Sequence, residues 1–323
     1  MKKLLIVLFL TLLSVSFASL VVYSYDSFLP VAESAFYEFT LQTGIEVEFR
    51  TVGDSGTLIS LVLANRERFD GDVIIGIDNL LSFRAFREDI FIPYIPRGYD
   101  KIISPDLLID PQWRLTPYDF GAIAIIYDSS AVEKNIDSMW DLTDRSFRRS
   151  IIIQDPRTSS TGQAFLLWTY LLHGERFEEF WRAFKPSILT ITLGWGESFQ
   201  KFESGEAPIM VSYATDGAYS THYYGEQLYA VLIPEGKGYV QIEGAGIVRW
   251  TDKLEEAQKL IDFLLTESFQ KHIPLNQWMF PVIDLEMPEV FDHAVRPESI
   301  LKIADDVSIE ELIAKWEEII YER

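Results

Sequence analysis

Short apolar, β-branched runs alternate along this chain with longer stretches whose apolar residues fall at helical spacing, and that alternation restricts the fold more than any other feature. Strands alternating with helices are the pattern of an α/β architecture, in which helices cover the faces of a sheet. The apolar runs are Leu20–Tyr25, Asp72–Ile77, Ala122–Tyr127, Ser150–Ile153 and Pro208–Tyr213. Ile45–Val52 alternates apolar with polar residues and reads as a half-buried strand. Ala32–Thr43 reads as a helix ending before Gly44, and Thr57–Glu67 as a second. Thr158-Ser159-Ser160-Thr161 is a hydroxyl-rich helix start, continued by Ala164–Leu172 and closed by Gly174. Gly238–Val248 has strand character with Gly244 and Gly246 inside it, and Lys253–His272 is amphipathic and reads as a helix. Ser308-x-x-Glu311 is a capping box ahead of Leu312, Ile313, Trp316, Ile319 and Ile320, so a helix is expected at the end of the chain. The 323 residues suffice for two α/β units of comparable size, and ligands in such folds sit outside the carboxyl ends of strands or between domains.

Residues 1–18 stand apart. Lys2 and Lys3 precede the apolar run Leu4–Val15, and Ser16-Phe17-Ala18 has the small-x-small pattern of a signal-peptidase site. The run is short for a membrane span, so cleavage after Ala18 and export are expected. The chain has no cysteine, which excludes disulfides, thiolate metal sites, a cysteine nucleophile and a lipid-bearing cysteine anchor. An exported chain of this kind is expected free in a periplasm. The formal net charge of -21 disfavours nucleic acid and anionic membranes as partners and favours a cationic ligand only weakly, because long-range fields are screened.

Enzyme motifs fail on their context. Gly53-Asp54-Ser55-Gly56 matches the stretch around a trypsin-like nucleophile, but those proteins are all-β with the histidine ahead of the serine, and the first histidine here is His173. The stretch reads better as a strand-to-helix turn whose N–H groups and carboxylate meet a ligand. Ser198–Lys201 and Ser268–Lys271 match Ser-x-x-Lys without the companion motifs, and read as solvated helix faces. No Gly-x-Ser-x-Gly, P-loop or His-Glu-x-x-His occurs. No catalytic residue, cofactor or metal ligand is assigned.

What remains is a set of aromatic, hydroxyl and carboxylate residues in short, separated segments: Tyr25, Asp54, Ser159, Ser160, Trp195, Tyr213, Tyr219 and Trp278. Such scatter is what a cleft between two lobes requires. With 14% aromatic residues in the chain, core packing explains any one of the rings as well.

Several blocks carry a family resemblance between about Val21 and Val282. They are Val22-Tyr23-Ser24-Tyr25-Asp26-Ser27-Phe28, Asp72–Asn79, Tyr118-Asp119-Phe120-Gly121 and Gln154-Asp155-Pro156-Arg157-Thr158-Ser159. Further on come Gly194-Trp195, Ser212-Tyr213 with Tyr219, Ile273-Pro274 and Trp278-Met279-Phe280-Pro281-Val282. The Gln-Asp-Pro-Arg-Thr-Ser and Trp-Met-aromatic-Pro-Val blocks are the most specific. On these blocks the chain resembles the periplasmic thiamine-binding proteins of ABC transporters.

The resemblance implies the type II periplasmic binding protein fold: two α/β lobes joined by hinge strands, with the ligand cleft between them. The implied crossings lie near Asp119–Ala124 and Gln241–Gly246, with residues 19–120 plus about 242–285 as lobe 1, 121–241 as lobe 2 and 286–323 as a C-terminal helical segment. It implies an extracytoplasmic solute-binding protein, a monomer and not an enzyme, that delivers thiamine, thiamine monophosphate or thiamine diphosphate to a membrane permease. Thiamine carries a permanently positive thiazolium and a flat aminopyrimidine. Holding it takes aromatic faces, worth roughly 0.5–2 kcal/mol each for the cation, an acceptor for the amino group, and hydroxyls or a helix N-terminus for any phosphate. By resemblance Asp54 and Ser55 meet one end of the ligand, Ser159 and Ser160 take phosphate or hydroxyl oxygens, and Trp195, Tyr213, Tyr219 and Trp278 are walls, with Tyr25 a further one.

The chain departs from the family pattern in three places. Leu29-Pro30-Val31 stands where a Trp is common, Ser55 where a glycine is usual, and Ala214-Thr215-Asp216-Gly217 where Thr-Ser-Pro is common, so that Asp216 adds a charge near the expected cation. A ferric-ion-binding protein of the same fold, using Tyr223 and Tyr224, is one rival, and a polyamine-binding protein another. Thiaminases share the fold but use a cysteine nucleophile, which this chain lacks.

Overall fold

The structure is a computed structural model that describes residues 19–303 and 307–322. The expected signal peptide, residues 1–18, lies outside the described residues.

The first part of the chain runs β1 (Leu20–Ser24), α1 (Leu29–Thr43), β2 (Val47–Thr51), α2 (Ser55–Ala64), β3 (Val73–Asp78), α3 (Leu81–Arg87), β4 (Phe91–Ile92) and the long β5 (Thr116–Asp128). It continues through β6 (Ile151–Gln154), α4 (Ser160–His173), α5 (Phe177–Phe184), β7 (Ile188–Thr192), α6 (Trp195–Glu203), β8 (Ile209–Tyr213), α7 (Asp216–Tyr224) and β9 (Tyr229–Leu232). The last part is β10 (Lys237–Gly238), β11 (Val240–Val248), α8 (Leu254–Leu264), α9 (Glu267–Gln270), α10 (Ile273–Asn276), β12 (Phe280–Pro281), β13 (Ser299–Ile300) and α11 (Ile309–Tyr321).

One sheet runs in the order β2-β1-β3-β11-β5-β8-β6-β7, with β4 on β11 and with β9 and β12 on β5. β1 lies parallel between β2 and β3, and β6 lies parallel between β7 and β8. Central parallel strands are covered on both faces, which is why β1, β3 and β6 read as unbroken apolar runs while β2, at the edge, alternates. Antiparallel strands join the two parallel groups. Thr116–Ala122 of β5 pairs with β11, and Ile123–Tyr127 of the same strand pairs with β8. β11 in turn pairs with β5 and with β3.

The helices bury their apolar faces on both groups. Around β1 and β3, Phe28, Phe36 and Phe39 meet Phe263 and Phe269, while Leu58, Ile59 and Val62 of α2 pack with Ile74 and Ile77. Around β6 and β8, α5 presents Phe177, Phe180, Trp181 and Phe184 at i, i+3, i+4 and i+7 to Phe165 and Trp168 of α4. The C-terminal segment, set apart in the sequence reading, joins this second core through Leu312, Trp316 and Ile319 of α11. Ser308 caps α11, its hydroxyl accepting from the Glu311 N–H at 3.3 Å.

β5 and the stretch Lys253–His272 differ from the sequence reading. β5 begins at Thr116, not Ala122, because β11 and β12 draw Asp119 and Phe120 into the ladder despite their turn-like composition. Lys253–His272 is broken after α8: Thr266 is extended (φ -95°, ψ 155°), its hydroxyl bonds the Phe263 carbonyl at 2.6 Å, and α9 starts anew. Trp316 is fully buried and meets Trp181 edge-on at 6.3 Å. Trp316→Ala should therefore cost about 3–5 kcal/mol in urea unfolding of the whole chain, whereas a loss under about 1 kcal/mol would detach α11 from the core.

Candidate ligand-binding site

A cavity of about 350 Å³ opens where β1, β8 and the N-termini of α2, α4 and α6 converge. That volume is in the roughly 300–1,000 Å³ range of small-molecule sites. Eight of the expected site residues line it: Tyr25, Asp54, Ser55, Ser160, Trp195, Tyr213, Asp216 and Trp278. Two do not. Ser159 is buried behind Ser160, where its hydroxyl caps α4 by accepting from the Gly162 N–H at 3.3 Å. Tyr219 backs the wall, edge-on to Trp278 at 5.2 Å and to Phe199 at 4.9 Å, with its hydroxyl on Glu203.

Asp54 ends the turn after β2 and is the N-cap of α2. Its carboxylate accepts from the Ser55 N–H (2.7 Å), the Ser159 hydroxyl (2.9 Å), the Ser160 N–H (3.2 Å) and hydroxyl (3.3 Å), and the Trp195 N–H (3.1 Å). The unpaired N–H groups and positive dipole ends of α2, α4 and α6 thus meet on one anion. Ser159 and Ser160, expected to hold phosphate or hydroxyl oxygens of a ligand, hold the protein's own carboxylate instead. The close fit depends on Gly56, where a Cβ would come within 2.5 Å of the Thr158 carbonyl oxygen. Ser55 keeps a buried hydroxyl without a partner at the cavity wall.

The aromatic walls are fixed from behind. Trp195 stacks on Phe199 at 4.8 Å and donates its Nε1–H to the Ser212 hydroxyl at 2.9 Å. Tyr213 shares a hydrogen bond with the Thr161 hydroxyl at 3.0 Å. Trp278 adopts φ 59°, unusual for a bulky residue, and stacks parallel on Phe291 at 6.2 Å. Tyr25 donates to Glu243 at 2.5 Å, receives the Gln277 amide, and lies against Gly76, where any Cβ would overlap its ring.

Among the described residues the lining carries Asp26, Asp54, Glu197, Asp216 and Glu243 but no lysine, arginine or histidine. Asp216 opens α7 and is 2% exposed, with one oxygen unpartnered. Burial pushes its carboxyl up to about 7, against the opposing bonds from Ser212 and the Tyr213 backbone. Sequence reasoning missed Glu243, Gln277 and Met279 as lining residues. The signal for Glu243 was a lone acid inside the apolar run Val240–Val248. Tyr223 and Tyr224, the pair weighed for ferric iron, stand outside the cavity; Tyr224 bonds Glu203 at 2.7 Å. Ser198 of the first Ser-x-x-Lys match is buried, 2.6 Å from the Thr192 hydroxyl, rather than on a solvated face.

Residues 71–308, well over half of the chain, match the family described as bacterial extracellular solute-binding protein. The chain belongs to that family. It is 31% identical over 292 residues to the thiamine-binding periplasmic protein of Brucella abortus biovar 1 (strain 9-941), covering 88% of this chain and 86% of the relative. Identity to the thiamine-binding periplasmic protein of Salmonella typhimurium is 27% over 292 residues, with the same coverage. The solved structure of a periplasmic thiamin binding protein superposes with a TM-score of 0.88 at 26% identity, over 94% of this chain and 96% of that one. The fold is that of a type II periplasmic binding protein, and the protein is an extracytoplasmic solute binder rather than an enzyme.

The raised carboxyl of Asp216 has a consequence for stability. A folded-state value near 7 against an unfolded value near 3.9 means that the native state binds more protons between those limits, so stability falls as pH rises through that window. Asp216→Asn should raise the melting temperature at pH 8 and leave it nearly unchanged at pH 4. Equal shifts at both pH values would contradict the burial of an ionisable group there.

Proposed function

We propose that the protein captures thiamine outside the cytoplasm and delivers it to the membrane permease of an ABC transporter. The observation that carries this reading is a cleft walled by Tyr25, Trp195, Tyr213 and Trp278 whose charged lining residues are all acidic. A flat, permanently cationic heteroaromatic matches both features: rings for its faces and carboxylates for its charge and amino group. The names of the similar proteins support the same ligand.

Thiamine itself is the preferred form on this reading. A phosphate would enter a cleft without a basic side chain, and the helix N-termini that suit it already hold Asp54. Residues 19–120 with about 242–285 act as one lobe and 121–241 as the other, the segment 286–323 leaning on the second. Closure about β5 and β11 traps the ligand, driven by its higher affinity for the closed form. Residues 1–18 serve as a cleaved export signal, and the exported protein works as a monomer.

Calorimetric titration of the protein lacking residues 1–18 should give one-to-one binding, tighter for thiamine than for its mono- and diphosphate. Trp278→Ala and Trp195→Ala should each weaken thiamine by about 2 kcal/mol or more. Unchanged affinity in both variants would sink the site assignment. Binding of ferric ion or a polyamine in place of thiamine would return the ligand to the two rival classes.

A further inference from the structure

Three carboxyl groups stand side by side across three adjacent strands. Asp78 of β3 is the direct partner of Glu243 of β11, and Glu243 is the direct partner of Asp119 of β5. Their exposures are 0%, 3% and 0%. Glu243 lines the ligand cleft, while the other two lie outside its lining.

Their hydrogen bonding is unequal. Glu243 accepts from the Tyr25 and Tyr118 hydroxyls at 2.5 and 2.7 Å and from the Gln241 amide at 3.1 Å. Asp78 accepts the Leu80 and Leu81 N–H groups on one oxygen and has no partner on the other. Asp119 has no partner on either oxygen. The groups that face the row are phenols and acids: Tyr25 beyond β1, Tyr118 on β5, Tyr213 on β8, Tyr239 just ahead of β11 and Asp54 at the head of α2. Among the described residues no lysine, arginine or histidine forms an ion pair with any of the three carboxyls, and none is among the main influences on them.

Adjacent buried carboxylates without a counter-charge do not all ionise. Burial raises all three, Asp78 to about 7, and Glu243 pushes its two neighbours higher. Glu243 and Asp119 therefore titrate as a pair rather than one by one. Glu243 lines the cleft, which opens the row toward a compensating charge.

We infer that Glu243 is the counter-ion for the ligand's positive charge, and that Glu243 and Asp119 together hold a proton in the empty cleft that the arriving cation displaces. The inference rests on the reading of the cleft as a thiamine site. The exchange balances: protonated pair plus cation gives cation-bound pair plus a proton released to solvent. Its sign follows from linkage. Binding that releases a proton tightens as pH rises and weakens in acid, by up to about tenfold per pH unit for one proton. Asp119 is a positioning residue here, acting on the ligand through Glu243.

The test is calorimetry with thiamine in buffers of differing ionisation enthalpy, at neutral and mildly acidic pH. The wild-type protein should release up to about one proton per thiamine and bind more weakly in acid. Glu243→Gln should lose at least about tenfold in affinity and release no proton. Asp119→Asn should also release no proton, and should keep in acid the affinity that the wild type loses there, which a purely structural role would not produce. Both substitutions are near-isosteric, and melting curves confirm folding; if Glu243→Gln does not fold, the wild type and Asp119→Asn decide the matter. Infrared spectra of the empty protein at neutral pH should show a protonated carboxyl band that Asp119→Asn removes. Thiamine binding with buffer-independent heat overturns this inference and leaves the thiamine reading intact. No thiamine binding at all overturns that reading, and the coupling with it.

Discussion

The antiparallel pairing of β5 with β11 is the constraint on which the rest of the molecule depends. β11 is bonded to one parallel group through β3, β5 is bonded to the other through β8, and the two strands are bonded to each other. The two helix-covered groups are therefore held together through a continuous ladder rather than through loops. The same pairing sets Asp119 opposite Glu243 where the groups diverge around the cavity. A buried sheet has few places for an acid, and this one puts two acids in register with no base beside them.

The cleft is divided electrostatically by this arrangement. Three helix N-termini supply partial positive charge, and Asp54 uses it up. Glu243 and Asp216 are buried with hydrogen bonds, but the lining gives neither a basic side chain, and Asp54 adds its own charge against Glu243. The surplus facing the cavity is negative, and the walls are rings. A ligand that completes the site brings a positive charge spread over a flat surface, which matches the acids and the rings together.

Much of this was legible in the sequence because it depends on local periodicity. The apolar runs, the hydroxyl start of α4 and the capping of α11 all appear where their patterns put them. The blocks carrying the family resemblance also contain four of the aromatic walls of the cavity, Tyr25, Trp195, Tyr213 and Trp278. What escaped depends on contacts distant in the chain. Asp119 falls in the crossing implied by resemblance, but that Glu243 pairs with it on one side and Pro281 on the other follows from no local pattern. Asp54 was recognisable as a carboxylate in a strand-to-helix turn, but no spacing rule brings Ser159, Ser160 and Trp195 to it. Tyr219 has the right chemistry for a wall and stands one layer too deep, behind Trp278. Glu243 sits in a run read as a strand and, by resemblance, a hinge crossing, and its cross-strand neighbours show it to be unusual.

The contacts of Asp54 bear on time as well as on affinity. Four of its five hydrogen bonds come from Ser159, Ser160 and Trp195, which flank β6 and β7, while Asp54 itself follows β2. On the proposed closure about β5 and β11, parting the two groups breaks these bonds together, whatever molecule is inside. The residence time of a ligand would then depend on bonds within the protein as well as on its own contacts with the rings. Anything that competes for the Asp54 carboxylate, or for the N–H groups that hold it, would hasten unloading without weakening a single ring contact.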